Sequence, residues 1–300
     1  MKPIIHPVFE PTTCSWQYVV ACPITSACVI IDPVLDFDIA HFRVTTESAD
    51  SLLDIVTKQE YHVAYLLETH IHGDHLSAAY YIQSTLWARG QPHAPICAGE
   101  NVTIVQNIFA HKYNIPKEEL ENSFDRLFHS DETFRIGELT GVAMYLPGHT
   151  ADHGGYKIGT NVFVGDSIFN PDVGTARCDF PGGDASTLWR TLQRLLNFPP
   201  DTRLYVGHDY PPSNEAAARD PLSFVTVQEQ KETNKHLKDG STEEDFVQWR
   251  NQRDHVITEP QMVHQAMQVN VRGGKMPGRS HDGKALLQYL VTVPKTLLTG

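Results

Sequence analysis

The sequence predicts an α/β fold followed by a helical C-terminal segment, and three observations lead to that prediction. Short apolar runs alternate with stretches of helical periodicity through the first two thirds of the chain. Histidines and aspartates recur directly after several of these apolar runs. The 300 residues are 41% hydrophobic and 20% charged, which is ordinary for a globular protein with a substantial core.

Charge and cysteine content narrow the class of protein. The formal net charge of -12 would repel nucleic acid and anionic membranes, so we expect a small-molecule partner. The sequence has no long apolar run and begins without the apolar stretch of a signal peptide, which indicates a cytoplasmic protein. The five cysteines lack CxxC spacing, so neither a disulfide framework nor a cysteine-rich zinc site is expected. The composition is compatible with either a monomer or a homodimer.

The N-terminal half predicts a sheet followed by a βαβ unit. Residues 4–31 hold short runs rich in Val, Ile, Tyr and Thr that prolines interrupt, as in successive strands. Residues 48–60 have helical spacing, and residues 63–67 are typical of a buried strand. We expect a helix from Asp74 to about Arg89 and a strand at 95–98.

The second half predicts further short strands and then a change of character. Strands are expected at 139–146, 155–158, 161–164 and 204–206, with a helix at 185–196. Polar helical stretches follow residue 221, so we divide the chain into a catalytic domain at 1–220 and a helical extension at 221–300. Within that extension, the basic glycine-rich loop at 271–279 is a candidate for covering a site.

The densest chemical signal is the segment Thr69-His70-Ile71-His72-Gly73-Asp74-His75. In an extended chain, side chains at i and i+2 point to the same side, so His70 and His72 can present two imidazoles to one point. Asp74 and His75 follow at the expected start of the next helix, where a carboxylate favours the helix dipole. This run predicts metal ligands.

Three single signals accompany this segment. His149, Asp166 and His208 each lie on a glycine-containing turn directly after an apolar run. Taken alone, each is more often a solvated or hydrogen-bonded turn residue than a ligand. Together with the histidine-rich segment, they predict a metal site, in which Asp74 and His75 could complete a second cluster of ligands beside the first.

The ordered set of THxHxDH, PGHT, GDS and GHD resembles the metallo-β-lactamase superfamily and spans Leu66 to Tyr210. The resemblance implies an αββα sandwich, in which two mixed sheets pack face to face with helices outside. It also implies a metal in a cleft at one edge of the sandwich.

Within the superfamily, the chain most resembles the sulfur dioxygenases of the ethylmalonic encephalopathy protein type. The similarity lies in Gly174-Thr175-Ala176-Arg177-Cys178-Asp179-Phe180 and in Gly207-His208-Asp209-Tyr210. It implies one Fe(II) per chain, held by His70, His149 and Asp166. The implied reaction converts glutathione persulfide, O2 and water to sulfite and glutathione, a step of sulfide oxidation. Two histidines and one carboxylate suit Fe(II), because they leave coordination positions open.

The remaining site residues receive supporting roles from the same resemblance. His72, Asp74, His75 and His208 would orient ligands and order water. Tyr210 would donate a hydrogen bond near the metal and joins Asp74 and His208 as a candidate catalytic residue, although a buried structural tyrosine fits the sequence equally well.

Two other functions remain open. All seven positions also suit a glyoxalase II-like hydroxyacylglutathione hydrolase with two zinc ions, because imidazole and carboxylate bind iron and zinc alike. A metal-binding regulatory protein is the alternative from another class. The acidic charge and the complete ligand set argue against it.

Because the protein is acidic, a site that binds an anionic thiol such as glutathione persulfide requires positively charged side chains nearby. Arg177 is the first candidate for binding glutathione, followed by Arg272 and Lys275, although most such side chains lie on solvated faces. We expect the histidines outside the motifs to lie at the surface or at an interface. Among them, His153 is the residue to examine for a role at the site.

Overall fold

The computed structural model describes residues 1–212 and 218–289, which form strands and helices in the following order. The strands are β1 (Ile4–Glu10), β2 (Ser15–Ala21), β3 (Ala27–Ile31), β4 (Val34–Asp38), β5 (Arg43–Thr45), β6 (His62–Leu67), β7 (Leu76–Ser77), β8 (Ile96–Gly99), β9 (Arg126–Phe128), β10 (Thr133–Ile136), β11 (Leu139–Tyr145), β12 (Gly154–Ile158), β13 (Asn161–Gly165), β14 (Arg203–Val206) and β15 (Phe224–Thr226). The helices are α1 (Glu47–Lys58), α2 (Ala79–Ala88), α3 (Val102–Tyr113), α4 (Lys117–Leu120), α5 (Ala185–Leu196), α6 (Val227–Thr233), α7 (Glu243–Asp254) and α8 (Val263–Asn270).

Two six-stranded sheets form the centre of the fold. The first has the order β1-β2-β3-β6-β8-β9, and the second has the order β10-β11-β12-β13-β14-β15. Both sheets are mixed. In the first, β3, β6, β8 and β9 pair in parallel and β1 to β3 antiparallel; in the second, β13 and β14 pair in parallel and the other neighbouring strands antiparallel. A small third sheet joins β5, β4 and β7.

Alternation along the strands explains why the two sheets pack together. In β2, Tyr18 and Val20 lie in the core shared with the second sheet, whereas Val19 and Ala21 face α1 and α2. On the second sheet, the apolar face of α5 joins that shared core through Leu188. The predicted sandwich of two mixed sheets flanked by helices is therefore confirmed.

The helix predicted from Asp74 begins later than the sequence indicates. Leu76 and Ser77 form β7, which pairs with β4, and α2 starts only at Ala79. Asp74 therefore lies in an irregular segment and does not stabilise the dipole of a helix. The apolar periodicity continues through β7, which is why sequence reasoning extended the helix too far towards the N-terminus.

The C-terminal segment contacts both sheets. The predicted boundary at residue 221 lies just before β15, which pairs with β14 and completes the second sheet. Helix α7 packs on α5, and α8 packs on β7 and α3. Residues 290–300 of the predicted extension lie outside the described residues. Within the described part of the chain, no helix has the length and apolar character needed to cross a bilayer.

Candidate metal centre

The predicted ligands converge because each follows a strand that ends at the same edge of the sandwich. His70 follows β6 of the first sheet, and Asp166 and His208 follow β13 and β14 of the second. His149 follows β11 on a turn that requires Gly148, whose φ is 133° and where a Cβ would lie 2.3 Å from the backbone of Leu188.

The first group consists of His70, His149 and Asp166. One ligand atom from each residue lies within 4.8 Å of the others, and all three side chains are buried. The His149 Nε2 lies 3.8 Å from Asp166 Oδ2. The structure thus brings together the three residues that the sequence predicts as metal ligands.

Hydrogen bonds of the histidine Nδ1 atoms favour metal binding by this group. His149 Nδ1 donates to the carbonyl of Arg177 at 2.6 Å, which leaves the lone pair of Nε2 facing Asp166. His70 Nδ1 lies 3.0 Å from the hydroxyl of Thr69. Burial, followed by the neighbouring histidines, lowers the pKa of His70 well below its usual range, so its imidazole is neutral as ligation requires.

Asp166 gives the clearest sign that the first group suits a cation. Its Oδ1 is buried and has no hydrogen-bond partner among residues 1–212 and 218–289. A buried carboxylate with an unused acceptor is costly unless a cation is present, so the donor set fits a divalent metal. The backbone N–H of Asp166 donates to His153 Nε2 at 2.9 Å. His153 is fully buried and holds this turn, so the expectation of a surface or interface position is wrong for this histidine.

The second group consists of His72, Asp74 and His208, and one ligand atom from each of them also lies within 4.8 Å of the others. His208 Nε2 lies 3.2 Å from Asp74 Oδ2 and 3.4 Å from Asp166 Oδ2, so it joins the two groups. Burial lowers the pKa of His208, but the carboxylates of Asp166 and Asp74 outweigh burial and raise it. Burial likewise raises the pKa of Asp74, yet His208, His75 and His72 bring it down to about 2. At neutral pH this group therefore holds an ionised carboxylate.

His75 lies beside the second group. In the described residues it belongs neither to that group nor to the first. Its ring centroid lies 4.3 Å from that of His72, and its Nδ1 lies 3.2 Å from the carbonyl of Leu76. Burial and the neighbouring His72 lower the pKa of His75 to about 4.

A third group of Asp32, Glu68 and His72 was missed by sequence reasoning. The His72 Nε2 lies 3.2 Å from Asp32 Oδ1 and 3.7 Å from Glu68 Oε2. Asp32 also accepts hydrogen bonds from the backbone and hydroxyl of Thr69 at 2.7 and 2.9 Å. Asp32 directly follows β3 and lies far from the motif in sequence, so its only local signal is an acidic residue after a buried strand.

A cleft of about 500 Å³ opens beside the first and second groups. Its walls include aromatic side chains, of which Phe180 and Trp249 are examples, and the basic side chains Arg177, Lys235 and Arg253. Tyr210 also lines the cleft, with its ring stacked on that of His208 at 5.8 Å and 47% of its surface exposed. The cleft therefore combines candidate ligands, apolar walls and positive charge.

The predicted substrate residues do not all reach this cleft. Arg177 lines it, but its guanidinium binds Asp179 through two hydrogen bonds of 2.5 and 2.6 Å and donates to the carbonyl of Thr258. Arg272 is buried and pairs with Glu119 at 2.7 Å.

Lys275 lies over the ring of Tyr80, 5.4 Å from its centroid, on a different part of the surface. The glycine-rich loop packs with Gly273 against Ser123 and Gly274 against Ser77, and it does not line the cleft. Lys235 and Arg253, which sequence reasoning missed, do line it, and no spacing in the sequence distinguishes them from solvated residues.

Comparison with known proteins agrees with this site. Residues 15–208 match the metallo-beta-lactamase superfamily, a span that includes all the ligand-type residues of the first and second groups. The chain is 42% identical over 292 residues to a "Beta-lactamase hydrolase-like protein" of Agrobacterium fabrum, covering 97% of this chain and 65% of the relative. It is 38% identical over 295 residues to "Glyoxylase B2" of Dictyostelium discoideum, covering 95% of this chain and 97% of the relative.

Solved structures show the same fold. ETHE1 from Myxococcus xanthus superposes with a TM-score of 0.70 at 24% identity, over 91% of this chain and 100% of that one. The chain spans slightly less than two thirds of the length of the bacterial relatives that it matches at 42% identity. The convergent ligand groups, the sandwich and the match over residues 15–208 together show that this chain belongs to the metallo-beta-lactamase superfamily.

Proposed function

We propose that the chain is an iron-dependent persulfide dioxygenase, which converts glutathione persulfide, O2 and water to sulfite and glutathione. The observation that carries the proposal is the first group, in which two imidazoles and one carboxylate meet beside an open cleft. This ligand set is typical of non-haem Fe(II) oxygenases, because it occupies one face of the metal. The resemblance of residues 174–180 and 207–210 to sulfur dioxygenases supports the same reaction.

Each part of the cleft has a role in this proposal. Iron bound by His70, His149 and Asp166 would supply the redox chemistry between O2 and the persulfide sulfur. Asp74 and His208, 3.2 Å apart, would hold a proton near the reacting sulfur, and the Tyr210 hydroxyl would donate a hydrogen bond there. The aromatic walls would keep bulk water away from the bound thiol.

Lys235 and Arg253 are our candidates for binding the carboxylates of glutathione. Both line the cleft, whereas the guanidinium of Arg177 is bound by Asp179. We expect Lys235→Ala and Arg253→Ala each to raise KM for glutathione persulfide by on the order of tenfold, the effect of one charge-assisted hydrogen bond. We expect kcat to change less, because neither residue contacts the first group. Initial rates of oxygen consumption measure both constants.

A matched control is Arg89→Ala, which removes one exposed positive charge outside the cleft. It should leave KM unchanged. An equal rise of KM in all three variants would mean that net charge, and not a binding site, is responsible.

The second candidate is a glyoxalase II-like hydroxyacylglutathione hydrolase with two zinc ions. The second group favours it, because His208 Nε2 lies 3.4 Å from the Asp166 carboxylate and a further ion would find ligands there. Several relatives carry the names "Glyoxylase B2" and "Hydroxyacylglutathione hydrolase". In that reaction the two ions would activate a water for attack on a thioester.

The deciding experiment combines metal content with activity. Protein purified without added metal is analysed for metals, and oxygen uptake is recorded on adding glutathione persulfide. The dioxygenase proposal predicts about one iron per chain and persulfide-dependent oxygen consumption. Two metals per chain, no oxygen uptake and hydrolysis of a glutathione thioester would establish the hydrolase instead.

A further inference from the structure

Helix α8 of the C-terminal segment lies directly behind the segment that carries His70 to His75. Its last residue, Asn270, is 3% exposed. The Nδ2 of Asn270 donates to the carbonyls of His72 and His75, each at 2.8 Å, and its Oδ1 accepts from the N–H of Ser77 at 2.8 Å. One side chain thus binds three peptide groups, two within this segment and one in β7 directly after it.

These bonds use most of the hydrogen-bonding capacity of the Asn270 side-chain amide. Both N–H donors and one lone pair of the carbonyl oxygen of Asn270 are occupied. The carbonyls that it binds belong to two residues of the motif, and a buried carbonyl left without a donor is destabilising. The segment would therefore rearrange if the amide were lost.

Few other contacts hold the backbone of this segment. In the described part of the chain, residues 70–75 make no backbone-to-backbone hydrogen bonds outside regular strands and helices. The N–H of Ile71 donates to Asp152, which secures the start of the segment. At its middle, the Met267 side chain of α8 lies 3.1 Å from where a Cβ on Gly73 would be. Asn270 and Met267 therefore place one helix against the whole stretch from His72 to Ser77.

We propose that Asn270 is a positioning residue of the metal centre. By holding the backbone of His72 and His75, it fixes the directions of the side chains between and beside them, including His70 and Asp74. A ligand loop that is already ordered loses less conformational entropy when the metal binds, so the affinity is higher. The inference concerns the metal site alone and holds for iron or zinc, so its failure is distinct from failure of the proposed reaction.

Gln268 of the same helix provides a matched control. It is 2% exposed, and its amide also makes three hydrogen bonds, donating to the carbonyls of His264 and Gln288 and accepting from the N–H of Gln288. These partners lie away from the metal-binding segment. Gln268→Ala therefore removes a comparable buried amide without touching a ligand.

The test compares Asn270→Ala, Asn270→Leu and Gln268→Ala in the full chain. Metal affinity is measured for Fe(II) and Zn(II) by competition with a chelator, and stability is measured on the metal-free proteins by urea unfolding. We expect both Asn270 variants to bind metal about ten- to a hundredfold more weakly than the wild type, the range for residues that orient ligands. Gln268→Ala should lose similar stability and keep its affinity.

Leucine fills the volume of asparagine but forms no hydrogen bonds, so a folded Asn270→Leu protein separates the loss of bonds from the loss of packing. The proposal is overturned if Asn270→Leu binds both metals as tightly as the wild type. It is equally overturned if Gln268→Ala loses as much affinity as the Asn270 variants, since metal binding would then follow general stability.

Discussion

Replacing His149 or Asp166 with alanine is expected to abolish metal binding and activity together. Each offers one of the three ligand-type atoms of the first group, and a metal left with only two of them would be held too weakly to stay bound. His72→Ala should keep most of the metal, because His72 lies in the second and third groups and outside the first. Metal per chain after gel filtration, with oxygen uptake on glutathione persulfide, measures both effects.

The control for this comparison is His129→Ala, which removes an exposed histidine paired with Glu100. It should retain full metal content. If His72→Ala loses metal as completely as His149→Ala and Asp166→Ala, the assignment of a single metal to the first group is wrong. A two-metal site would then explain the result better, since His72 is a member of the second group.

Asp254→Ala is expected to cause the largest loss of stability. The Asp254 carboxylate pairs with Arg250 one turn earlier on α7, and their side chains are 6% and 3% exposed. Removing one partner of a buried ion pair leaves the other charge unpaired and costs about 3–5 kcal/mol. The free energy of unfolding in urea measures this loss.

The same change should disturb the metal centre. Asp254 Oδ2 accepts from the N–H of Cys178 at 2.8 Å, and Arg250 donates to the carbonyls of Thr175 and Ala176. These contacts hold the segment whose Arg177 carbonyl accepts the hydrogen bond of His149. We therefore expect weaker metal binding in addition to lower stability.

Asp54→Ala is the matched control, because Asp54 forms an i,i+4 pair with Lys58 at the surface of α1, with side chains 68% and 73% exposed. It should change the free energy of unfolding by less than about 1 kcal/mol. An equally small change for Asp254→Ala would contradict the role assigned to the buried pair.

Sequence reasoning located most strands and the three residues of the first group, because both depend on short-range patterns. The strand at 63–67 and the helix at 185–196 lie within one residue of the observed β6 and α5. His70, His149 and Asp166 each follow their own strand, and it is the histidine-rich segment together with the later turns that marks the three as candidate ligands. The predicted start of the helix at Asp74 was wrong, because the short strand β7 precedes α2 within one continuous apolar periodicity.

The sequence by itself determined the fold class and the residues of the first and second groups. Only the tertiary structure decided how those residues divide into groups and which distant side chains support them. Asp32 follows β3 and contacts His72, which follows the neighbouring strand β6. Asn270 donates a hydrogen bond to the carbonyl of His72, although the two residues are 198 positions apart in the sequence. Local periodicity holds no information about such contacts, because they depend on how helices and sheets pack and not on the spacing within any one of them.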